Sequence, residues 1–279
     1  MTTTRAQYRQ HGGKALGRNY YLSSTTTSAS SNANEILDSA RTENDDFWNG
    51  ATVRIGSDDR PLRGGAGVNT NRTPSLFVDR ALSSTPGNGT AYEVLKTWTF
   101  TDFDEATDDS LASMWPHFYD PVDDISIIET AGQLQYTLPT TWMEIGLIQR
   151  QIVASNPARY RDMTAGYEYV VRDDPAGRVL ILNYLPFAGT VIRIFARAIP
   201  TLGASDASTS IHPWQVVVPG MLAYLYQKGA NADQGALSTS FDRKAVFYAT
   251  LFEKRKAQFH QHRPAIPAAY PVIGVGSYT

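Results

Sequence analysis

The sequence predicts an α+β fold: β-rich domains combined with a central helix and a C-terminal antiparallel helical hairpin, with extended arms at both ends. Three observations predict it. Short alternating apolar segments bounded by Gly, Pro and Asn fill residues 35–100 and 123–205. An acid-rich segment of helical character, residues 101–122, separates them. Two apolar patterns at helical spacing, joined by a polar turn, fill residues 210–262, and a short loop of that kind makes the two helices antiparallel neighbours.

Each element rests on its own residues. Residues 1–34 are polar and repetitive, with Ser23-Ser-Thr-Thr-Thr-Ser-Ala-Ser-Ser-Asn as the extreme. Such a composition buries too little apolar area to offset its ordering entropy, so a flexible N-terminal arm is expected. In residues 35–100, a small β domain, Thr52-Val-Arg-Ile alternates at strand period. Ser75-Leu-Phe-Val and Thr90-Ala-Tyr-Glu-Val-Leu are further strands, and Arg63-Gly-Gly-Ala-Gly and Pro86-Gly-Asn-Gly are loops. The central helix carries Phe103, Ala106, Leu111, Met114 and Trp115 as its apolar stripe. Thr101 or Asp102 is its expected cap, and Pro116 its expected end or kink.

The β domain of residues 123–205 opens with Gln133-Leu-Gln-Tyr-Thr-Leu-Pro. Its expected hairpin runs through Tyr167-Glu-Tyr-Val-Val-Arg, the turn at Asp174-Pro-Ala-Gly and Arg178-Val-Leu-Ile-Leu. Thr190-Val-Ile-Arg-Ile-Phe-Ala-Arg-Ala closes the sheet. In the second hairpin helix Phe241, Ala245, Tyr248, Phe252 and Phe259 recur at helical spacing. Prolines at 264, 267 and 271 exclude helix from the tail, residues 263–279, which is too apolar for a free end.

Composition narrows the function. Apolar residues make up 42% of the 279, enough for a core. Charged residues are only 19%, which fits a surface partly covered by neighbours. A net charge of −2 argues against a dedicated nucleic-acid binder. The absence of cysteine excludes disulfides and thiolate metal sites. No apolar run reaches membrane-spanning length, and the first residues lack a signal-peptide core, so the chain is expected to be made and kept in a cytoplasm.

Catalytic patterns are missing where they would be legible. His11, His117, His212, His260 and His262 are scattered, and residues two apart do not share a helix face. Gly64-Gly-Ala-Gly lacks the Lys-Ser/Thr of a phosphate loop. The acid pairs Asp123-Asp124 and Asp173-Asp174 read as solvated turns. No cofactor, metal ligand or enzymatic activity is expected.

Taken in order, the pieces resemble head-to-tail connector proteins of tailed bacteriophages, the adaptor or tubular-connector type found in the neck. Asp46-Phe-Trp-Asn-Gly-Ala-Thr-Val-Arg-Ile and Gly89-Thr-Ala-Tyr-Glu-Val resemble the β insertion of such proteins. Asp104-Glu-Ala-Thr-Asp-Asp-Ser-Leu-Ala-Ser-Met-Trp-Pro resembles their central helix. Gln135-Tyr-Thr-Leu-Pro, Arg178-Val-Leu-Ile-Leu and Gly189-Thr-Val-Ile-Arg-Ile resemble their β domain, and Ile211-His-Pro-Trp through Tyr226 their hairpin. The resemblance implies a virion protein forming a ring, usually of twelve copies, that joins the portal to the tail or another neck protein. Double-stranded DNA would pass nonspecifically through its lumen, and the family has no catalytic residues to transfer.

Within that reading three sets of residues are candidates. The tail residues Ile266, Tyr270, Val272, Ile273 and Val275, with Lys254, Arg255, Lys256 and Arg263, are expected at an interface with the portal or a neighbour. Phe241, Tyr248, Phe252 and Phe259 are expected in the core or in subunit packing. Residues 101–130 hold nine acids and no Lys or Arg, so Asp104, Glu105, Asp108 and Asp109 are expected on an acidic lumen or interface surface. A reading of a different class is a β-rich carbohydrate- or receptor-binding tail module, with 15 tyrosines and 5 tryptophans as stacking platforms.

Overall fold

The computed structural model describes residues 2–66, 74–152, 159–175, 177–232 and 236–259. They form a mixed α+β chain in two units. Unit 1 combines Met1–Ser113 with Leu202–Gln258, and unit 2 holds Met114–Thr201.

Unit 1 begins with β1 (Thr3–Thr4) and α1 (Arg5–Leu16). Thr4 and Gln7 start the helix reciprocally: the Gln7 amide donates to Thr4 Oγ1 at 3.1 Å, and the Thr4 amide to Gln7 Oε1 at 2.8 Å. A sheet follows, made of β2 (Tyr21–Thr25), β3 (Glu35–Leu37), β4 (Thr52–Ile55), β5 (Asp58–Ala66), β6 (Ser75–Val78) and β7 (Ala91–Leu95). Its order is β2-β7-β4-β5-β6-β3, antiparallel throughout. Val53 and Ile55, Leu76 and Val78, and Tyr92 and Val94 point into one cluster around Trp48 and Ile36. The segment expected as a flexible arm is therefore built in over its described residues: α1 packs on later helices, and β2 pairs with β7. Composition misleads there because the partners of its polar groups lie far along the chain.

α2 (Phe100–Ala112) is shorter than the expected helix at 101–122. Thr99 is its cap, rather than Thr101 or Asp102, and the Thr99 amide donates to the Asp102 carboxylate at 2.6 Å. The chain turns before Pro116 and continues into β8, so residues 120–122 are strand.

Unit 2 contains β8 (Asp120–Ile128), β9 (Gln135–Leu138), β10 (Trp142–Gln151), β11 (Tyr160–Asp162), β12 (Tyr169–Asp174), β13 (Gly177–Leu182) and β14 (Val191–Ala198). They form a four-stranded sheet, β11-β10-β14-β8, and a three-stranded sheet, β12-β13-β9. β14 buries Ile192, Ile194, Ala196 and Ala198 in strict alternation. Tyr136 and Leu138 of β9, with Leu180 and Leu182 of β13, meet them in one core. Asp123 and Asp124, expected in a turn, lie within β8, where Asp123 pairs with Arg193 across the ladder at 2.6 Å. Asp123 is in register with Phe195, so Arg193 reaches it diagonally, and Asp124 accepts instead from the Ser126 hydroxyl.

The chain then re-enters unit 1 through β15 (Thr209–Ser210), which pairs with β1, and the helices α3 (Trp214–Ala232) and α4 (Ala236–Phe259). α3 packs on α2 and α1. Gly220 permits the close approach. A Cβ there would lie 2.2 Å from Ser110 Oγ on α2 and 3.1 Å from the Phe252 ring on α4. Ser110 Oγ donates to the Val217 carbonyl at 2.8 Å, so it is not free to move away. Gly220→Ala should destabilise the chain by about 1–3 kcal/mol through overpacking, despite the better helix propensity of Ala. Chemical denaturation checks this, and Ser110→Gly in the same chain should recover part of the loss.

Candidate functional site

The helices of unit 1 are held by a cluster of charges centred on α1. Arg5 and Arg9 stand one turn apart and are both almost wholly buried. Arg5 donates to Asp108 Oδ1 at 2.6 Å on α2, and to the carbonyls of Leu202 and Gly203 at 2.9 and 2.8 Å. Arg9 forms a fork onto Asp206 at 2.9 and 2.8 Å, and its Nε donates to Glu93 of β7 at 2.7 Å. The Tyr21 hydroxyl also donates to Glu93, at 2.6 Å. Arg54 of β4 grips Asp59 and lies over the Phe100 ring at 4.4 Å. One helix thus ties α2, β7 and the 202–206 segment together.

The electrostatics match the geometry. Burial pulls the Arg9 guanidinium down, but Asp206 and Glu93 outweigh it and hold it above its ordinary value. The hydrogen bond from Arg9, with the charges of Arg54 and Arg5, keeps Asp206 below the usual carboxylate range. Asp104 goes the other way: burial raises its carboxyl in spite of Arg5, Arg54 and Arg9. Its Oδ1 is 3.5 Å from Arg5 and makes no hydrogen bond.

An open cleft of about 400 Å³ beside this cluster is lined by Arg54, Gly56, Ser57, Asp104, Ala204 and Asp206. Its charged groups are engaged with one another, and Ser57 has no histidine in the lining to act as its base. Among the described residues no group of three or more His, Cys, Asp or Glu is placed to hold a metal. The arrangement braces elements of unit 1 against one another.

The candidate acids of α2 are divided between two partners. Asp104 and Asp108 turn to α1, and Glu105, with Asp102, pairs with Lys228 of α3 at 2.8 and 2.6 Å. Asp109 is exposed. Rather than one acidic surface, α2 presents two flanks that hold helices.

The aromatic stripe of α4 is also turned inward. Phe241 packs against Trp98 and Tyr226 with ring centroids 5.9 and 5.6 Å apart, and Tyr248 stacks on Tyr226 at 5.7 Å. Trp98 Nε1 donates to the Leu225 carbonyl at 2.9 Å. Phe252 is buried beside Gly220, and Phe259 is half-buried. Of the two places expected for the stripe, core or subunit interface, Phe241 and Phe252 take the core, because α4 needs this stripe to cover α3. The opposite face of α4 exposes Val246 and Phe247, by 68% and 61%.

Of the basic run, Lys256 is buried against Phe252. It donates to the Ser113 carbonyl at 3.2 Å, at the C-terminal end of α2, where a cation is favoured. Lys254 is exposed and Arg255 partly so. Arg263, Ile266, Tyr270, Val272, Ile273 and Val275 lie outside the described residues.

Unit 2 has a brace of its own. Glu129, with no exposed side-chain surface, accepts two bonds from Arg150 at 2.6 and 2.9 Å. It also accepts from the Tyr184 hydroxyl at 2.5 Å and the Phe187 amide at 3.0 Å. Burial pushes its carboxyl up, but these donors outweigh that and leave it below the usual range.

Sequence reasoning missed Arg5, Arg9, Glu129 and the exposed pair Val246-Phe247. The Thr4-x-x-Gln7 pattern was an available signal for α1, and two adjacent apolar residues on the polar face of α4 were another. Nothing in the sequence marked Glu129. No family model matches the chain, and no curated protein matches it.

Glu129 and Asp206 are both held below their ordinary values of 4.5 and 3.8. Their stabilisation is complete above those values and is lost as pH falls below them, through the lower folded values. Denaturation from pH 7 to pH 3 should show stability falling below about pH 4.5. Glu129→Gln should make that fall shallower, and Glu129→Ala should lose about 3 kcal/mol at pH 7 by stranding Arg150.

Proposed function

We propose that the chain is a structural virion protein, a subunit of the ring in the neck of a tailed phage that joins portal to tail. The observation that carries this reading is the outer face of α4. The inner face of the hairpin is satisfied within the chain, yet Val246 and Phe247, on the other side of α4, stand in solvent. A second copy is the natural cover for such a face, and head-to-tail contacts of this kind close into rings. The order of elements, β sheet, acid-rich helix, inserted β unit and helical hairpin, supports the same reading. In it the charge clusters hold each subunit rigid while DNA passes through the lumen, and the C-terminal segment reaches a neighbour or the portal.

Gold-labelled antibody on purified virions carrying this chain should mark the neck between head and tail. Label at the fibre tips, or none on the particle, would overturn the reading. The double substitution Val246→Asp, Phe247→Asp should leave monomer stability within about 0.5 kcal/mol, as expected of surface positions, yet abolish incorporation into particles. Calorimetry on the monomer and quantitative blotting of virions check the two halves.

A further inference from the structure

Unit 2 presents a second unsatisfied apolar surface, at one end of its two sheets. Ile128, the last residue of β8, pairs with Val191, the first of β14. The end of β10 lies alongside, since Arg150 pairs with Ile192. In the other sheet Gln135 opens β9 against Ile181, and Tyr169 opens β12 against Leu182. The loops of residues 129–134, 163–168 and 183–190 therefore share that end. The chain enters and leaves unit 2 at the opposite end, where Asp120 pairs with Ala198.

These loops are bonded to one another. The Glu129 carboxylate accepts from Tyr184 and Phe187, and the Gly189 amide donates to the Glu129 carbonyl at 3.0 Å. The Asn183 amide donates to the Glu168 carbonyl at 2.9 Å. From this braced platform project Tyr167, Leu185 and Phe187, exposed by 81%, 78% and 72%, with Ile152 and Leu134 about half exposed. The acids of these loops are neutralised, Glu129 by Arg150 and Glu168 by Arg161. The end is apolar and aromatic, and the acids of its three loops are paired.

The area decides what kind of partner fits. Five such side chains offer on the order of 500 Å². That is near the top of the range for the largest patch on a monomer, about 300–600 Å², and short of the roughly 800 Å² per partner in a stable complex of folded proteins. It suits a short peptide segment. The chain supplies one of matching chemistry: residues 264–279, Pro-Ala-Ile-Pro-Ala-Ala-Tyr-Pro-Val-Ile-Gly-Val-Gly-Ser-Tyr-Thr, contain no charged side chain. Their prolines, 264, 267 and 271, favour the extended, low-entropy form that docks on aromatic surfaces. α4 ends at Phe259, and the 20 residues from 260 to 279 can span about 65 Å when extended, enough to reach another molecule.

We propose that the loop end of unit 2, centred on Tyr167, Leu185 and Phe187, binds the C-terminal segment 264–279 of a second copy of this chain. This contact does not depend on the neck reading; it is a strand-like strap between copies, distinct from the α4 face.

The test uses a fluorescein-labelled peptide of residues 264–279, titrated by anisotropy against the chain stopped after Arg263, which keeps every described element. Saturable binding is expected, weakened roughly tenfold or more by Phe187→Ser or Tyr167→Ser in the protein, and likewise by Tyr270→Ser in the peptide. The double substitution at Val246 and Phe247 should leave the affinity unchanged, which separates this contact from the ring contact. Circular dichroism confirms that each variant is folded. Absence of binding, or binding indifferent to Tyr167 and Phe187, overturns the proposal. Self-association of the shortened chain that Phe187→Ser abolishes, without peptide binding, would make the occupant a second loop end and overturn it too.

Discussion

The rest of unit 1 depends on two desolvated guanidinium groups. Arg5 and Arg9 sit in α1 with almost no water around them, and each leaves several kcal/mol of desolvation to be offset by carboxylates in good geometry. Asp108 on α2, Glu93 on β7 and Asp206 before β15 supply them. No one of these elements can shift without exposing a buried charge to an apolar surround. The result is a fixed orientation between the sheet and the helices, achieved by ion pairs where a small apolar interface would leave the elements free to slide. The helix that carries both arginines is itself weakly amphipathic, so its place is set by charge more than by apolar burial.

Surfaces in this protein are best read as satisfied or unsatisfied. Acids and bases along α2, α3 and α4 are mostly paired: Lys228 bridges two carboxylates, and Lys256 closes the end of α2. Among the described residues the most exposed large apolar side chains include two groups, one on the outer face of α4 and one at the loop end of unit 2. Both are presented by rigid supports. A rigid presentation lowers the ordering entropy on association, which favours defined partners over promiscuous stickiness.

Much of the fold was legible, and the reasons differ by element. β14 alternates without exception, and the hairpin helices keep their apolar spacing, so their existence and direction could be read from period alone. The N-terminal helix could not be read from composition, because its stabilising partners are separated from it by most of the chain. The strand at Asp123-Asp124 was hidden because an acid such as Asp123 becomes reasonable there only with Arg193 near it, and that partner lies 70 positions along the chain. For the candidate surfaces the stripe of Phe241, Tyr248 and Phe252 was correctly periodic, but period does not say which apolar face meets the same chain and which a neighbour. Trp98 and Tyr226, reaching in from other elements, decide that for Phe241 and Tyr248.

The bonds between α1 and the segment after unit 2 join residues 197 to 204 positions apart, which has a consequence for timing. At about 5–20 residues per second, α1 waits roughly 10–40 s during synthesis before the partners of Arg5, Tyr8 and Arg9 exist. Unit 2, whose pairings all fall within its own segment, has everything it needs to fold in that interval. α4 is made last of all the described elements. The chain therefore completes unit 1 after unit 2, and the face of α4 is assembled later than every other described element, a built-in delay against premature association between nascent copies.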